Sequence, residues 1–518
     1  MSLLGAYAIT FIASFCSLVI EMVAGRILAP FVGVSLYTWT SIIGVILAGI
    51  STGAYAGGRL VDRFPHRRTL ALLLFLSGIA ALAIIPLTSM VAAYRFPFSL
   101  MWRIFTVTAI IFFIPGCILG TISPVVVRLT LQSLSKAGNV IGKIYAFSTL
   151  GAIIGTFATG FLLISWMGTR NIIFFMGIIL IVTALVSGGL FKRKGAVAAC
   201  VVICAASLVP LYNWAYKPPT RNDVYFYKES DYYTIKLSRT YGRGKNWHIP
   251  LQALTLDHLI HSYVSLDNPL HIEYEYERIY AEVLKWLYKP QSPFRTLSIG
   301  GGGYTFPRYM EISYPKAHIE VVEIDPAVTN VVYRYLGLPA NTRIKTSNMD
   351  GRWFVMNCKE RYDVIFTDAF NDLSIPYHLT TREFAQQLKD ILNTDGILMS
   401  NIIDNFQEGA FLPSYMRTLQ AVFGEKNVHL LSVSPDFENL RISTFIVIAS
   451  KEKLDMKAFD GWLKQKLHGA AKSVLVSESL TNRLLTRHKA VLLTDDYAPV
   501  DNLIAPIFEE RFGYNRKR

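Results

Sequence analysis

Up to about residue 214 the chain is a succession of apolar runs close to the length of a membrane crossing, and beyond that point none recurs. A bilayer core needs roughly 20 apolar residues per helix. The runs 3–20, 37–57, 70–93, 104–126, 141–166, 172–190 and 196–214 fit that requirement, which predicts a multi-pass α-helical membrane domain over 1–216 with about seven helices. The first run starts too near the amino terminus for a basic n-region, so it reads as a retained helix, not a cleaved signal. Glycines recur in these runs, at Gly44, Gly49, Gly53 and Gly57 and again at Gly151, Gly155 and Gly160. Small residues let helix backbones approach in a bilayer, so the pattern favours a packed bundle over a pore.

Charge follows the same division. Of a net +14, residues 1–216 hold 14 Lys and Arg against only Glu21 and Asp62, while the remainder holds 37 basic and 35 acidic residues. The basic excess therefore sits in short loops between apolar runs, where it orients helices, and it argues for a lipid bilayer and against a nucleic-acid partner. The stretch 57–70, GGRLVDRFPHRRTL, resembles the loop between the second and third helices of major facilitator transporters, with Gly58, Asp62, Arg63, Arg67 and Arg68 in matching places. In that family the loop faces the cytoplasm, as Arg128, Lys136, Lys143 and Lys192 to Lys194 would here. Seven crossings from that start would leave the chain outside after Trp214, whereas a nucleotide-dependent enzyme draws its cofactor from the cytoplasm. The expectation adopted is an inner-membrane protein with a cytoplasmic catalytic domain. Cys16, Cys117, Cys200 and Cys204 lie in apolar runs and only Cys358 beyond them, so neither a disulfide framework nor metal-ligand spacing is expected in the soluble part.

After Lys217-Pro218-Pro219 the composition turns mixed, and 217–270 reads as a linker and a small β-sheet. Strands and helices then alternate from residue 296, which predicts an α/β doubly wound, Rossmann-like domain over 271–518. Its centre is 295–324, RTLSIGGGGYTFPRYMEISYPKAHIEVVEI: a buried strand, a glycine turn, a helix, and a strand closed by Glu323. Gly300, Gly301 and Gly302 would admit a ligand against bare backbone, while an acid about 20 residues on reaches a ribose hydroxyl. Asp350, followed by Gly351, and Asp368 stand at the next strand ends, where their carboxylates would face the same crevice.

The soluble part resembles the aminopropyltransferases, the spermidine synthase family with its methyltransferase-type fold, and the whole chain resembles the membrane-fused members. The resemblance rests on several motifs in the family order. Leu256 to His261 stand for a Leu-Asp-Gly-x-x-Gln strand, and Tyr274 to Glu277 loosely match a Tyr-His-Glu helix start. Gly300 to Gly302 match the glycine turn, Glu323 the ribose acid, Asp350-Gly351 the adenine pair, and Asp368 the catalytic aspartate. It implies that Gly300, Gly301, Gly302, Glu323, Asp350, Gly351 and His261 hold decarboxylated S-adenosylmethionine, with S-adenosylmethionine the other donor considered. Asp368 would be catalytic and Tyr276 would meet the substrate, with Asp372, Tyr377 and His378 taking over polar contacts where the chain departs from the family pattern.

Three positions depart from the pattern: Gly303-Tyr304 replaces an aspartate that grips the aminopropyl end, Asn371-Asp372 displaces a second carboxylate, and His261 replaces glutamine. The implied activity is transfer of an aminopropyl group to a putrescine-like small-molecule amine without a metal, by a transferase for which a homodimer is considered. Methyl transfer from S-adenosylmethionine, or a transporter with a nucleoside-sensing domain, are the other readings.

Overall fold

The computed structural model describes residues 1–33, 35–92, 94, 98, 100–131, 137–188, 208–216, 223–257, 259–369, 375–466, 473–487 and 490–507. The chain divides into two compact units, Met1–Pro219 with Glu229–Asp231, and Thr220–Lys228 with Tyr232–Arg518.

The first unit is helical: α1 (Leu3–Val32), α2 (Leu36–Arg63), α3 (Arg67–Ala92), α4 (Leu100–Gly120), α5 (Ile122–Thr130), α6 (Ala137–Ala158) and α7 (Ile164–Ser187). Among the described residues, five continuous helical stretches are long and apolar enough to cross a bilayer. The last of them runs 51 residues, Ala137–Ser187. As one rod it would measure about 75 Å, more than twice a bilayer core. Gly168, at φ 74 and ψ 159, breaks it into two lengths, matching the two runs expected there. The seventh expected run, 196–214, lies outside the described residues as far as 207.

Helices pair α1 with α6, α2 with α4 and α3 with α7. Glycine permits this closeness: a Cβ on Gly53 would lie 1.9 Å from the Cys117 carbonyl oxygen, and one on Gly151 2.2 Å from that of Phe11. Gly44 and Gly160, by contrast, face open space and hold no such contact. Near the end of this unit the Tyr216 hydroxyl donates to the Leu82 carbonyl at 2.7 Å, and Tyr212 donates to Asn171 Oδ1 at 3.0 Å.

The second unit opens with an antiparallel meander of β1 (Val224–Glu229), β2 (Thr234–Tyr241), β3 (Pro250–Leu256) and β4 (Leu259–Val264). An eight-stranded sheet follows, from β5 (Arg295–Ile299), β6 (His318–Val322), β7 (Lys345–Ser347), β8 (Tyr362–Thr367), β9 (Leu392–Asp404), β10 (Val428–Ser432), β11 (Ser443–Ser450) and β12 (Val474–Leu475). Its order is β12-β10-β11-β9-β8-β5-β6-β7. Strands β7, β6, β5, β8 and β9 are parallel, and β11 runs antiparallel between β9 and β10, the methyltransferase-type arrangement.

The central strands are apolar because both faces are covered; four of the five residues of β5 and of β6 are buried. One cover is α8 (Glu275–Leu287), whose Ile279, Tyr280, Val283 and Leu284 recur at helical spacing along the buried face. Register then positions the site. Ile299 pairs with Val322 on one side and Thr367 on the other, and Thr367 with Ser400. The residues that follow, Glu323, Gly300, Asp368 and Asn401, therefore stand in one row at the carboxyl edge, about 4.8 Å from strand to strand. The order of connections reverses between β5 and β8, which opens a crevice there.

Candidate active site

Gly300 leaves β5 at φ 99, and Gly302 follows at φ 48, both left-handed conformations that glycine adopts without strain. A Cβ on Gly300 would also lie 2.5 Å from the Asp368 carbonyl oxygen, so the turn runs against the backbone after β8. Glu323 holds this turn in place: Oε2 accepts the Gly301 N–H at 3.0 Å and Oε1 the Asp325 N–H at 2.9 Å. Burial raises its pKa, opposed by those backbone donors. A third backbone donor, Gly302, also stabilises the carboxylate, which keeps acceptor capacity for a further donor.

Asp350 caps α9 (Gly351–Asn357) by accepting the Trp353 N–H at 2.9 Å, and its other oxygen meets His378 Nε2 at 3.0 Å. Burial raises the pKa of this carboxyl, but Trp353 and His378 outweigh it and the net shift is downward. Asp368 caps no helix among the described residues. Its Oδ2 accepts the Tyr276 hydroxyl at 2.7 Å and its Oδ1 the Asn401 amide at 2.8 Å. Burial pushes this acid up to about 6, with Asn401 and Tyr276 pulling it back.

These groups surround one cavity of about 290 Å³. Of the residues expected from sequence, Gly300, Gly301, Gly302, Glu323, Asp350, Gly351, His261, Tyr276 and Asp368 all line it. Tyr377 does not: its side chain is 58% exposed on a single turn, and Pro376 and His378 beside it face the cavity instead. Asp372 lies outside the described residues.

The departure at Gly303-Tyr304 has a packing origin. Gly303 donates to Ser262 Oγ at 2.7 Å, and a Cβ there would lie 2.6 Å from the Ser262 Cβ, so β4 occupies the room a side chain would need. Tyr304 is wholly buried and turned away toward Thr329 and Thr346.

Two residues that sequence reasoning left out of the site belong to the cavity wall, Glu277 and Asn401. Asn401 could have been found from strand level, one residue past the partner of Thr367. Glu277 adjoins Tyr276 in the loosely matched helix start. Burial, then the nearness of Asp368, pushes the Glu277 acid up to about 8, against a backbone hydrogen bond from Phe306.

A family model, the spermine/spermidine synthase domain, matches residues 276–458, the stretch that carries Tyr276, the glycine turn, Glu323, Asp350, Asp368 and Asn401. Over these residues the chain is similar to that domain. A polyamine aminopropyltransferase of Vibrio vulnificus (strain CMCP6) is 37% identical over 144 residues, 27% of this chain and 46% of that protein. One from Chromobacterium violaceum is 30% identical over 143 residues, 27% of this chain and 54% of the relative. The chain thus spans about half the length of these curated relatives. Polyamine aminopropyltransferase 2 of Aquifex aeolicus (strain VF5) is 24% identical over 472 residues, 88% of this chain and 89% of its own, a match that reaches beyond the synthase domain.

Proposed function

We propose that the chain is a membrane-anchored aminopropyltransferase that moves the aminopropyl group of decarboxylated S-adenosylmethionine to a primary amine of the putrescine type. The observation that carries this is Asp368, a buried carboxylate held by Tyr276 and Asn401 one strand from the glycine turn. The donor fits the residues present: Glu323 keeps acceptor capacity for a ribose hydroxyl, Asp350 would meet the adenine amino group, and Gly300 to Gly302 leave bare backbone for the sulfonium end.

The reaction needs an unprotonated amine. Its nitrogen lone pair attacks the carbon bound to the sulfonium; the new C–N bond forms as the C–S bond breaks, and that electron pair stays on sulfur, leaving neutral methylthioadenosine. The nitrogen becomes cationic, and Asp368 accepts its proton. Tyr276 and Asn401 keep Asp368 ionised at neutral pH and aim it.

The helical unit supplies the membrane anchor, and its charges supply an orientation. Arg59 to Arg68, Arg128 and Lys143 lie at one end of the helices, where Arg128 pairs with Asp62 at 3.4 Å. By the positive-inside rule that end is cytoplasmic. Tyr212 and Tyr216 pack on Phe174, near the Gly168 end of α7. The side of the membrane that carries the second unit is read out by a reporter fused at the carboxyl terminus.

Incubation of the purified chain with decarboxylated S-adenosylmethionine and a panel of amines, followed by mass analysis, tests the activity. Aminopropylated amine plus methylthioadenosine is the expected result. Methylated product from S-adenosylmethionine, with none from the decarboxylated donor, would refute it.

A further inference from the structure

We propose that Glu277, Tyr280 and Asn401 form a socket for a primary ammonium group in the cavity wall beside Asp368, a role that rests on the aminopropyltransferase reading and extends it. Three residues of that wall each carry a buried polar atom without a hydrogen-bond partner: Glu277 Oε2, the Tyr280 hydroxyl oxygen and Asn401 Oδ1. Their residues are 6%, 2% and 6% exposed, and all three line the cavity. A buried polar atom left unpaired costs free energy, and three around one cavity call for a ligand that supplies donors.

The orientation of each group is constrained by what it already holds. Asn401 gives its amide nitrogen to Asp368, so its carbonyl oxygen must face elsewhere. Glu277 takes the Phe306 N–H and still leaves Oε2 unpaired. Tyr280 is fixed by Phe306 and Phe366 around its ring, at centroid distances of 5.4 and 4.9 Å. An alkylammonium carries three N–H donors and no acceptor, which matches a carboxylate oxygen, an amide oxygen and a phenol lone pair. An ammonium beside it would draw Glu277 into its ionised form, a charge pair that a neutral hydroxyl or amide ligand cannot make.

Two parts of the reaction carry such a group: the aminopropyl end of the donor and the far end of a diamine acceptor. Binding of decarboxylated S-adenosylmethionine and of methylthioadenosine, which lacks the aminopropyl chain, is measured by calorimetry on the full chain in detergent, together with KM for putrescine. Glu277→Gln keeps the shape and removes the charge. It should leave methylthioadenosine affinity within twofold and weaken one ammonium ligand by about 30-fold or more, as expected when one partner of a buried charge pair is lost. A loss in donor affinity assigns the socket to the donor, and a loss confined to KM for putrescine assigns it to the acceptor.

Unchanged values for both ligands would overturn the proposal. If Glu277→Gln fails to bind methylthioadenosine at all, Tyr280→Phe decides: a several-fold loss for one ammonium ligand with methylthioadenosine retained supports the socket, and no loss overturns it. Failure of the unmutated chain to bind either adenosine ligand would instead sink the aminopropyltransferase reading.

Discussion

Tyr276→Phe isolates how the protein keeps its proposed base ionised. The hydroxyl donates to Asp368 Oδ2 at 2.7 Å, and burial first, then the charge of Asp368, raises the pKa of Tyr276 well above its ordinary value, so it remains a donor across the working range. A hydrogen bond to a charged group contributes about 1.5–3 kcal/mol, and about 1.4 kcal/mol corresponds to one pKa unit. Loss of the hydroxyl should raise Asp368 from about 6 by about one unit or more. For a base that works ionised, one unit means about a fivefold loss of kcat/KM at pH 6 and less than twofold at pH 9. The assay is kcat/KM against pH with the amine limiting. Glu277 titrates nearby, near 8, so the same pair of profiles in a Glu277→Gln background leaves a single acid limb to read. Equal losses at every pH, or an unmoved limb, would refute the argument and leave Tyr276 a packing residue.

Asp368→Asn should cut turnover about 10²- to 10⁴-fold, the usual range for a general base, while methylthioadenosine still binds by calorimetry. Glu323→Gln removes the charge that the Gly301 and Asp325 N–H groups point at, and adenosine affinity should fall about tenfold or more in the same assay. Gly300→Ala forces a Cβ to 2.5 Å from a carbonyl oxygen at φ 99, so the melting temperature should drop, with a cost of about 1–3 kcal/mol from backbone strain alone. The folded chain holds the Glu277 proton more tightly than the unfolded chain does, so this contribution is complete below 4.5 and is lost as pH rises through about 8. Melting followed from pH 5 to 9 should therefore show a fall that Glu277→Gln flattens.

Periodic, local features were legible from the chain alone. Apolar runs gave the helices of the first unit because a spanning helix must satisfy its backbone within itself and expose only apolar side chains to lipid. They also gave both lengths on either side of Gly168, which one uninterrupted helical assignment would merge. In the second unit, alternation of buried strands and helices implied a sheet covered on both faces, and the glycine turn with Glu323 implied a crevice at the strand ends, because each is a short-range pattern with its own steric or electrostatic cause. The residues around Asp368 were another matter. Tyr276 and Asn401 lie 92 and 33 residues from it in sequence, and only strand register and the seating of α8 bring their donors to its two oxygens. Tyr377 and His378 were expected together after the displaced carboxylate, yet a single turn leaves Tyr377 exposed and sets only His378 against the cavity. Gly303 looked like a missing carboxylate until β4 was seen to fill the space a side chain would need. Sequence determined the elements and the residues at their ends; which of those ends face one another, and which polar atoms are left without a partner between them, depends on contacts between distant segments that only the folded structure decides.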